Sequence, residues 1–363
     1  MFVPVVDSNN NPLMPTTPSR ARRWVKERKA TYFWKKGVYC VRLNVEPSNR
    51  KIQDIVVGID PGSKREGLTV KSEAHTYLNI QANAVDWVKD ALEVRRNMRR
   101  VRRFRKTPCR KNKSNRAKSP FPPSTKARWA WKLRLCNWLK KMFPITDFIV
   151  EDIKARTFKR AKKWNKSFSP LEVGKKWFYS EISKLGMLST KQGYETKELR
   201  DSLGLKKTKS KLSDRFDAHC IDSWVLANHV VSGHLKPDNE RILKVIPLRF
   251  HRRQLHALQP AEGGVRKPYG GTMSLGFKRG SLVRHPKWGL TYIGGVSKTG
   301  ISLHNINTSK RVCRNAKAID LKVLTLLTWR ALLIPCFYKE QTILNITNFP
   351  VPIVHNFQSI VQV

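Results

Sequence analysis

The sequence has few acidic residues, no closely spaced cysteine pair and no long apolar run. Its six cysteines are scattered without a CxxC pair, which excludes a zinc ribbon and a disulfide framework and is typical of a reducing compartment. No apolar run is long enough to span a bilayer, and the first residues do not have the pattern of a signal peptide. We therefore expect a cytoplasmic protein without a membrane partner.

The shortage of acids leaves a large positive charge. Lys and Arg total 72 against 26 Asp and Glu, a formal net charge of +46. Self-repulsion of this size disfavours a compact state unless a polyanion neutralises it. Nucleic acid is the expected polyanion, and an anionic membrane is the weaker alternative because no basic helix has a broad apolar face. The hydrophobic fraction of 40% argues against simple disorder.

A short apolar stretch that ends in an acid stands at residues 55–60. Its mostly β-branched residues predict a buried strand, and Pro61-Gly62 then turns the chain. Asp60 at the strand end either caps its own turn or binds a cation, since hard divalent metals take carboxylate oxygens. Residues 67–70 and 76–80 supply two further strands. An acid-tipped strand followed by a turn and two strands predicts an α/β protein with an RNase H-like mixed sheet.

Two later acids have a similar setting. Glu151 closes a second apolar strand over residues 148–152, and Asp222 lies on a helix predicted for residues 213–231 with Ser213 as its cap. His219 lies three residues before Asp222, so both project from neighbouring positions of that helix. A histidine satisfied in the core would more naturally lie on the apolar stripe.

Asp60, Glu151 and Asp222 meet at one point only if the fold brings them there. If it does, they form a site for two Mg²⁺ ions roughly 4 Å apart. Such a site activates a water molecule for the hydrolysis of a phosphodiester bond. His219 would then be a general base or assist a metal. No phosphate-binding P-loop and no Ser-His-Asp pattern competes for this role.

An arginine-rich segment separates the first acid from the second. Residues 94–106 contain eight Arg or Lys, and no acid occurs between 94 and 146. Ala91, Val94, Met98 and Val101 recur at helical spacing and predict a helix with one narrow apolar seam. Arginine covers the rest of its circumference, which indicates phosphate contacts on more than one side rather than an ordinary solvated face. From about residue 241 short β-like segments and glycine turns predict a small barrel or a twisted sheet.

Taken together, these motifs resemble a known family. Ile59-Asp60-Pro61-Gly62-Ser63, Val150-Glu151-Asp152 and His219-Cys220-Ile221-Asp222 resemble the three pieces of a split RuvC nuclease domain. The arginine helix looks like the bridge helix of RNA-guided nucleases. Pro12-Leu13-Met14-Pro15 matches the PLMP motif of the transposon-encoded IscB and IsrB proteins, and residues 269–272 and 276–280 resemble their C-terminal domain, which reads a short motif beside the DNA target.

One absence favours the IsrB branch of this family. IscB proteins carry an HNH nuclease between the second and third RuvC pieces, and such a site requires histidine. Here no histidine occurs between residues 76 and 218. The resemblance implies a prokaryotic, Mg²⁺-dependent nickase that is guided by a long omega RNA and cuts the non-target strand of double-stranded DNA. It also implies a monomeric protein within a ribonucleoprotein.

The resemblance assigns roles and domains to this sequence. The expected catalytic residues are Asp60, Glu151, His219 and Asp222, with the three acids as metal ligands. The expected RNA contacts are Arg95, Arg96, Arg99, Arg100, Arg102, Arg103 and Arg105, and the expected DNA contacts are Arg266, Lys267, Lys278 and Arg279. The expected domains are a PLMP domain (1–53), RuvC part I (54–90), the bridge helix and linker (91–124), RuvC part II (125–200), RuvC part III (201–240) and the domain that contacts the target-adjacent motif (241–363); residues 331–363 are expected to be a packing tail.

Two other functions stay open at this stage. An RNase H-like transposase or resolvase shares the acids and the charge but recognises DNA ends or junctions without a guide. A non-enzymatic RNA-binding protein shares only the charge, and the three acids would then be coincidental.

Overall fold

The computed structural model describes residues 2–36, 38–104, 121–154, 171–210, 213–247, 258–259, 264–265, 273–278, 280–296, 300–305, 310–323 and 329–334. The chain divides into two compact units: residues 1–246 with 331–340, and residues 247–330 with 341–363. Within the described residues, no helix combines the length and the apolar character needed to cross a membrane.

The strands and helices follow one another in this order: β1 (Val3–Val6), β2 (Pro12–Thr16), α1 (Pro18–Lys26), β3 (Ala30–Lys35), β4 (Val38–Leu43), β5 (Val56–Asp60), β6 (Arg65–Lys71), β7 (Thr76–Asn83), α2 (Trp87–Phe104), α3 (Pro123–Lys140), β8 (Asp147–Asp152), α4 (Lys175–Ile182), β9 (Met187–Gln192), α5 (Gly193–Ser202), α6 (Phe216–His219), α7 (Ile221–Val231), β10 (Ile242–Pro247), β11 (Leu258–Gln259), β12 (Gly264–Val265), β13 (Met273–Ser274), β14 (Phe277–Lys278), β15 (Leu282–His285), β16 (Gly289–Val296), β17 (Ile301–Asn305), β18 (Arg311–Ala316), β19 (Lys322–Val323) and β20 (Trp329–Ile334).

The first unit begins with a small sheet in the order β2-β1-β4-β3. The Pro12-Leu13-Met14-Pro15 motif lies in β2, which pairs antiparallel with β1. Helix α1 packs on this sheet through Ala21, beside the buried side chains of Val5 and Val41. The sheet therefore has an apolar core of its own.

A second, larger sheet has the strand order β20-β10-β7-β6-β5-β8-β9. Strand β5 pairs antiparallel with β6 and parallel with β8, β6 pairs antiparallel with β7, and β8 pairs parallel with β9. The five strands β7-β6-β5-β8-β9, of which β6 alone is reversed, have the order and directions of an RNase H-like sheet. Strand β10, which the sequence analysis assigns to the C-terminal domain, pairs parallel with β7 in this sheet.

Helices cover both faces of the larger sheet. Successive strand residues point to opposite faces, so Gly67 of β6 faces α7 while Glu66 faces α3, where it pairs with Lys132. On the α3 side, Trp131 donates its indole N–H to the carbonyl of Asn83 in β7 at 3.0 Å. Strand β5 is thus central and buried, which places its last residue, Asp60, at the edge of a rigid layer.

The helix predicted from residue 213 begins later and is interrupted. It starts at Phe216 and breaks at Cys220, from which α7 continues. The predicted Ser213 cap is wrong because this part of the chain is held by the sheet instead. Arg65 of β6 donates to the Ser213 carbonyl and to the Asp214 carboxylate, both at 2.8 Å, and Lys244 of β10 also binds Asp214.

The second unit is rich in β-structure, as the sequence predicts. Its main sheet is antiparallel, in the order β18-β17-β16-β15-β19. Val283, Ile293, Ile301 and Leu303 are buried together in its core. Of the expected packing tail, residues 331–334 belong to β20 of the larger sheet, and the residues beyond 334 lie outside the described part of the chain.

Candidate metal centre

Three acids from distant segments meet at one end of the larger sheet. Asp60 ends β5, and Glu151 lies beside it on β8, because the parallel register pairs Ile59 with Val150. Asp222 stands in the first turn of α7. One carboxylate oxygen from each acid lies within 4.8 Å of the other two. The predicted convergence of Asp60, Glu151 and Asp222 is confirmed; we call this group the acid triad.

Two glycines let α7 approach the sheet closely enough to complete the triad. A Cβ at Gly58 would lie 1.9 Å from the carbonyl oxygen of Ser223, and a Cβ at Gly67 would lie 1.8 Å from the carbonyl oxygen of His219. Neither distance is possible for a real side chain, so any other residue would push the helix outward. The glycines thereby set how far Asp222 reaches toward Asp60.

Glu151 also lies against the beginning of α5. A Cβ at Gly193, the first residue of that helix, would lie 2.7 Å from Glu151 Oε1. The N-terminal end of a helix favours a negative charge, because its first N–H groups have no partner within the helix. The absence of a side chain at Gly193 therefore leaves room for the Glu151 carboxylate beside this end.

Among the described residues, two cations that the sequence analysis does not identify contact the triad. Arg200 of α5 donates from Nη1 to Asp222 Oδ1 at 2.7 Å. Lys207, in the loop after α5, lies with Nζ 3.4 Å from Asp60 Oδ2 and also forms an ion pair with Asp222 Oδ2. The Asp222 side chain is only 5% exposed, so these two cations offset a carboxylate that is almost fully removed from water.

The electrostatics of Glu151 reflect the crowding of like charges. Burial raises the pKa of its carboxyl well above the ordinary value, and the neighbouring carboxylates of Asp60 and Asp222 raise it further. Lys207 acts in the opposite direction but does not cancel these effects. Three carboxylates this close therefore need more positive charge than Lys207 and Arg200 supply.

The donor set fits a divalent cation. Carboxylate oxygens are the ligands that Mg²⁺ and Mn²⁺ prefer, and three of them converge here without a thiol or an imidazole in the group. The high pKa of Glu151 and the presence of a lysine ammonium between two of the acids both indicate a place that attracts positive charge. Asp60, Glu151 and Asp222 are thus suitable ligands for a divalent metal.

Asp152, the acid next to Glu151, has a different role. It points to the other side of β8 and accepts hydrogen bonds from Lys175 Nζ at 2.8 Å, Tyr179 Oη at 2.9 Å and Gln192 Nε2 at 2.8 Å. Burial raises the pKa of Asp152, but these three donors lower it more, so that it stays below the ordinary value. Through these hydrogen bonds Asp152 connects β8 to α4 and β9, which fixes the position of the backbone at Glu151.

His219 lies at the end of α6, one residue before the break that starts α7. It is half-buried, and the acid triad is defined by the three carboxylates without it. Its backbone carbonyl is the group that faces Gly67. The role of His219 as a base stays a prediction.

The arginine-rich segment forms a helix that is longer than the predicted one. Helix α2 spans Trp87–Phe104, and Arg95, Arg96, Arg99 and Arg100 on it are exposed. Its apolar seam is exposed too: Val94, Met98 and Val101 keep about half of their surface, at 57%, 49% and 50%. Arg102 and Arg103 belong to the helix by their backbone, whereas Arg105 lies outside the described residues.

The sequence Arg99-Arg100-Val101-Arg102-Arg103 on this helix has the pattern RRXRR. Residues 3–164 match the family model described as "RRXRR protein". This segment contains the small N-terminal sheet, α2 and two members of the acid triad.

No curated protein matches this chain. Among solved structures, T. thermophilus RuvC in complex with a Holliday junction substrate is 14% identical to this chain, with 50% of this chain and 98% of that one covered and a TM-score of 0.27.

The predicted DNA contacts of the second unit fall where the structure describes no side chains. Arg266, Lys267 and Arg279 lie outside the described residues, and only the backbone of Lys278, in β14, is described. Their roles stay predictions.

Proposed function

We propose that this protein is a divalent-metal-dependent nuclease that cuts one strand of DNA under the guidance of an RNA. The observation that carries the nuclease part is the acid triad: three carboxylates, from three segments of an RNase H-like sheet and its covering helix, within 4.8 Å of one another. Divalent metals held by such carboxylates activate water and stabilise the leaving oxygen of a phosphodiester.

The residues of the site would have different roles in the hydrolysis. Asp60, Glu151 and Asp222 hold Mg²⁺, with two ions as the proposed number. Arg200 fixes the orientation of the Asp222 carboxylate through its hydrogen bond of 2.7 Å. His219 accepts the proton of the attacking water.

Guidance by RNA is supported by charge and by the helix α2. A formal charge of +46 requires a large polyanion, and the exposed arginines of α2 suit phosphate contacts on several sides. The RRXRR family, which matches residues 3–164, occurs in proteins of the IscB and IsrB type. We infer an IsrB-type protein in which base pairing reads the target and the protein holds the heteroduplex through its backbone. Arg266, Lys267, Lys278 and Arg279 would contact the DNA beside the target.

The test is plasmid nicking by the full chain expressed with the non-coding DNA next to its gene. We expect a co-purified structured RNA and Mg²⁺-dependent conversion of a matching supercoiled plasmid to the open circle. Asp60→Asn should lose nicking by at least about 10³-fold, which equals about 4 kcal/mol in the barrier, while RNA-dependent DNA binding remains. Asp54→Asn, an exposed acid six residues earlier, is the matched control and should nick normally.

The outcomes separate the competing functions. Nicking that needs no RNA would identify a transposase or resolvase instead. Mg²⁺-dependent nicking that persists in Asp60→Asn would contradict the site, and RNA binding without any nicking would leave a non-enzymatic RNA-binding protein.

A further inference from the structure

The ammonium of Lys207 contacts two members of the acid triad, Asp60 and Asp222, at once. Its Nζ is 3.4 Å from Asp60 Oδ2 and pairs at the same time with Asp222 Oδ2. We propose that Lys207 is a resident counter-ion of the acid triad, which competes with the divalent metal for these two carboxylates and leaves them when the metal binds. This inference rests on the proposed function in taking the triad as a metal site.

The short distance at which Mg²⁺ binds its ligands is the reason why the metal and the Lys207 ammonium compete. Mg²⁺ binds carboxylate oxygens at about 2.0–2.1 Å and keeps waters on its remaining positions. A metal held by the carboxylates of Asp60 and Asp222 would compete for the oxygens that the Lys207 ammonium now contacts. Two cations beside the same carboxylates in a half-buried site also repel each other strongly.

The backbone on both sides of Lys207 is fixed, so that only its side chain is free to exchange. The Leu205 amide donates to the Arg200 carbonyl at 3.1 Å, and the Leu205 side chain packs against the core under α7. The Thr208 amide donates to the Asp217 carbonyl, also at 3.1 Å. Lys206 is exposed between these anchors. The fold therefore selects Lys207 out of a lysine-rich loop and points it at the triad.

The two cations beside Asp222 are not equivalent. Arg200 pairs with Oδ1 of Asp222, whereas Lys207 pairs with Oδ2 of Asp222 and also with Asp60. Arg200 can keep its contact with Asp222 when a metal binds, whereas Lys207 leaves the two carboxylates. Its side chain is 33% exposed, which leaves a path to solvent by rotation of its stem.

Calorimetric titration of Mn²⁺ or Mg²⁺ into the full chain with its bound nucleic acid, with the free nucleic acid as the blank, tests the inference. Lys207→Met removes the charge and keeps most of the stem. Because the competing charge on the two carboxylates is then absent, we expect the metal Kd to fall by at least about tenfold. Lys207→Arg should keep a Kd near that of the wild type, and Lys206→Met, the exposed neighbour, should change nothing.

Thermal unfolding gives a second readout that needs no activity. In EDTA, Lys207→Met should unfold at a lower Tm than the wild type, since the triad then keeps only Arg200. Saturating Mg²⁺ should raise the Tm of Lys207→Met by more than that of the wild type. Lys207→Gln serves in the same two measurements if the methionine variant does not fold.

The outcomes distinguish this inference from the proposed function. An unchanged or weaker metal affinity in both Lys207→Met and Lys207→Gln would overturn the competition. If Asp60→Asn still abolished metal binding in that case, the metal site itself would stand. Absence of metal binding in the wild type and in the Lys207 variants would remove both proposals.

Discussion

The carboxylate of Glu151 occupies the place that a side chain at Gly193 would need. A Cβ at Gly193, the first residue of α5, would lie 2.7 Å from Glu151 Oε1. The glycine at this position therefore leaves room for the Glu151 carboxylate.

This relationship predicts a variant that separates stability from function. Gly193→Ala should change the Tm little, since Gly193 lies at the end of the helix and the added methyl group meets only the end of the flexible Glu151 side chain. The methyl group should nevertheless displace the Glu151 carboxylate and reduce both metal affinity and nicking at least several-fold. Thermal unfolding and metal titration on the same preparation check this.

The adjacent Tyr194 supplies the matched control for Gly193. Its side chain is 61% exposed, and Tyr194→Ala should keep metal affinity and nicking. If Gly193→Ala bound metal as tightly as the wild type, the close packing of Gly193 and Glu151 would have no functional meaning.

A second prediction concerns the ion pair between Glu66 and Lys132 on the α3 face of the sheet. Both side chains are fully buried, and Lys132 Nζ lies 3.1 Å from Glu66 Oε2. Breaking a buried pair by removing one partner costs about 3–5 kcal/mol because the other charge is left uncompensated. Glu66→Leu should therefore destabilise far more than the double variant Glu66→Leu/Lys132→Met, as measured by urea unfolding.

The same pair predicts a dependence of stability on pH. Burial raises the pKa of Glu66 from 4.5 to about 6 despite Lys132. Because the folded pKa lies above the unfolded one, the folded chain binds more protons in this interval, and the contribution of Glu66 to the unfolding free energy decreases as the pH rises from about 4.5 to about 6. Relative to the double variant, the wild type should lose stability over this range. The opposite slope would contradict the assignment.

A third prediction concerns α2. Arg99→Ala/Arg100→Ala should weaken binding of the co-purified RNA and reduce the slope of log K against log salt by roughly 1.4–1.8, since each lost phosphate contact is worth about 0.7–0.9. Filter binding at several salt concentrations measures this. Lys184→Ala/Lys197→Ala is a control of equal charge change, with Lys184 already paired to Glu181 at 2.8 Å. An unchanged slope in the arginine variant would show that α2 does not contact phosphate.

Much of the site could be predicted because its signals are local. A β-branched run that ends in an acid marks Asp60 and Glu151, and both lie on the predicted strands. Asp222 could be singled out because it lies on a different face of its predicted helix from the apolar stripe. These signals require only the period of the element and the residue that ends it.

The partners of the triad could not be predicted, because nothing local distinguishes them. The placement of Lys207 depends on the packing of Leu205 against the core under α7 and on the hydrogen bond from Thr208 to Asp217, and both are contacts with a later part of the chain. The later start of α6 has a similar origin. Asp214 would suit the first turn of a helix by sequence, but Arg65 and Lys244 bind it to the sheet.

The wide spacing of the triad along the chain has a consequence for synthesis. Glu151 and Asp222 are 222 − 151 = 71 residues apart, so at about 5–20 residues per second the ribosome needs roughly 4–14 seconds to pass from one to the other. Throughout that interval, and in every product that terminates before residue 222, the ligand set is incomplete. Translation itself therefore delays the assembly of the acid triad until most of the polypeptide exists.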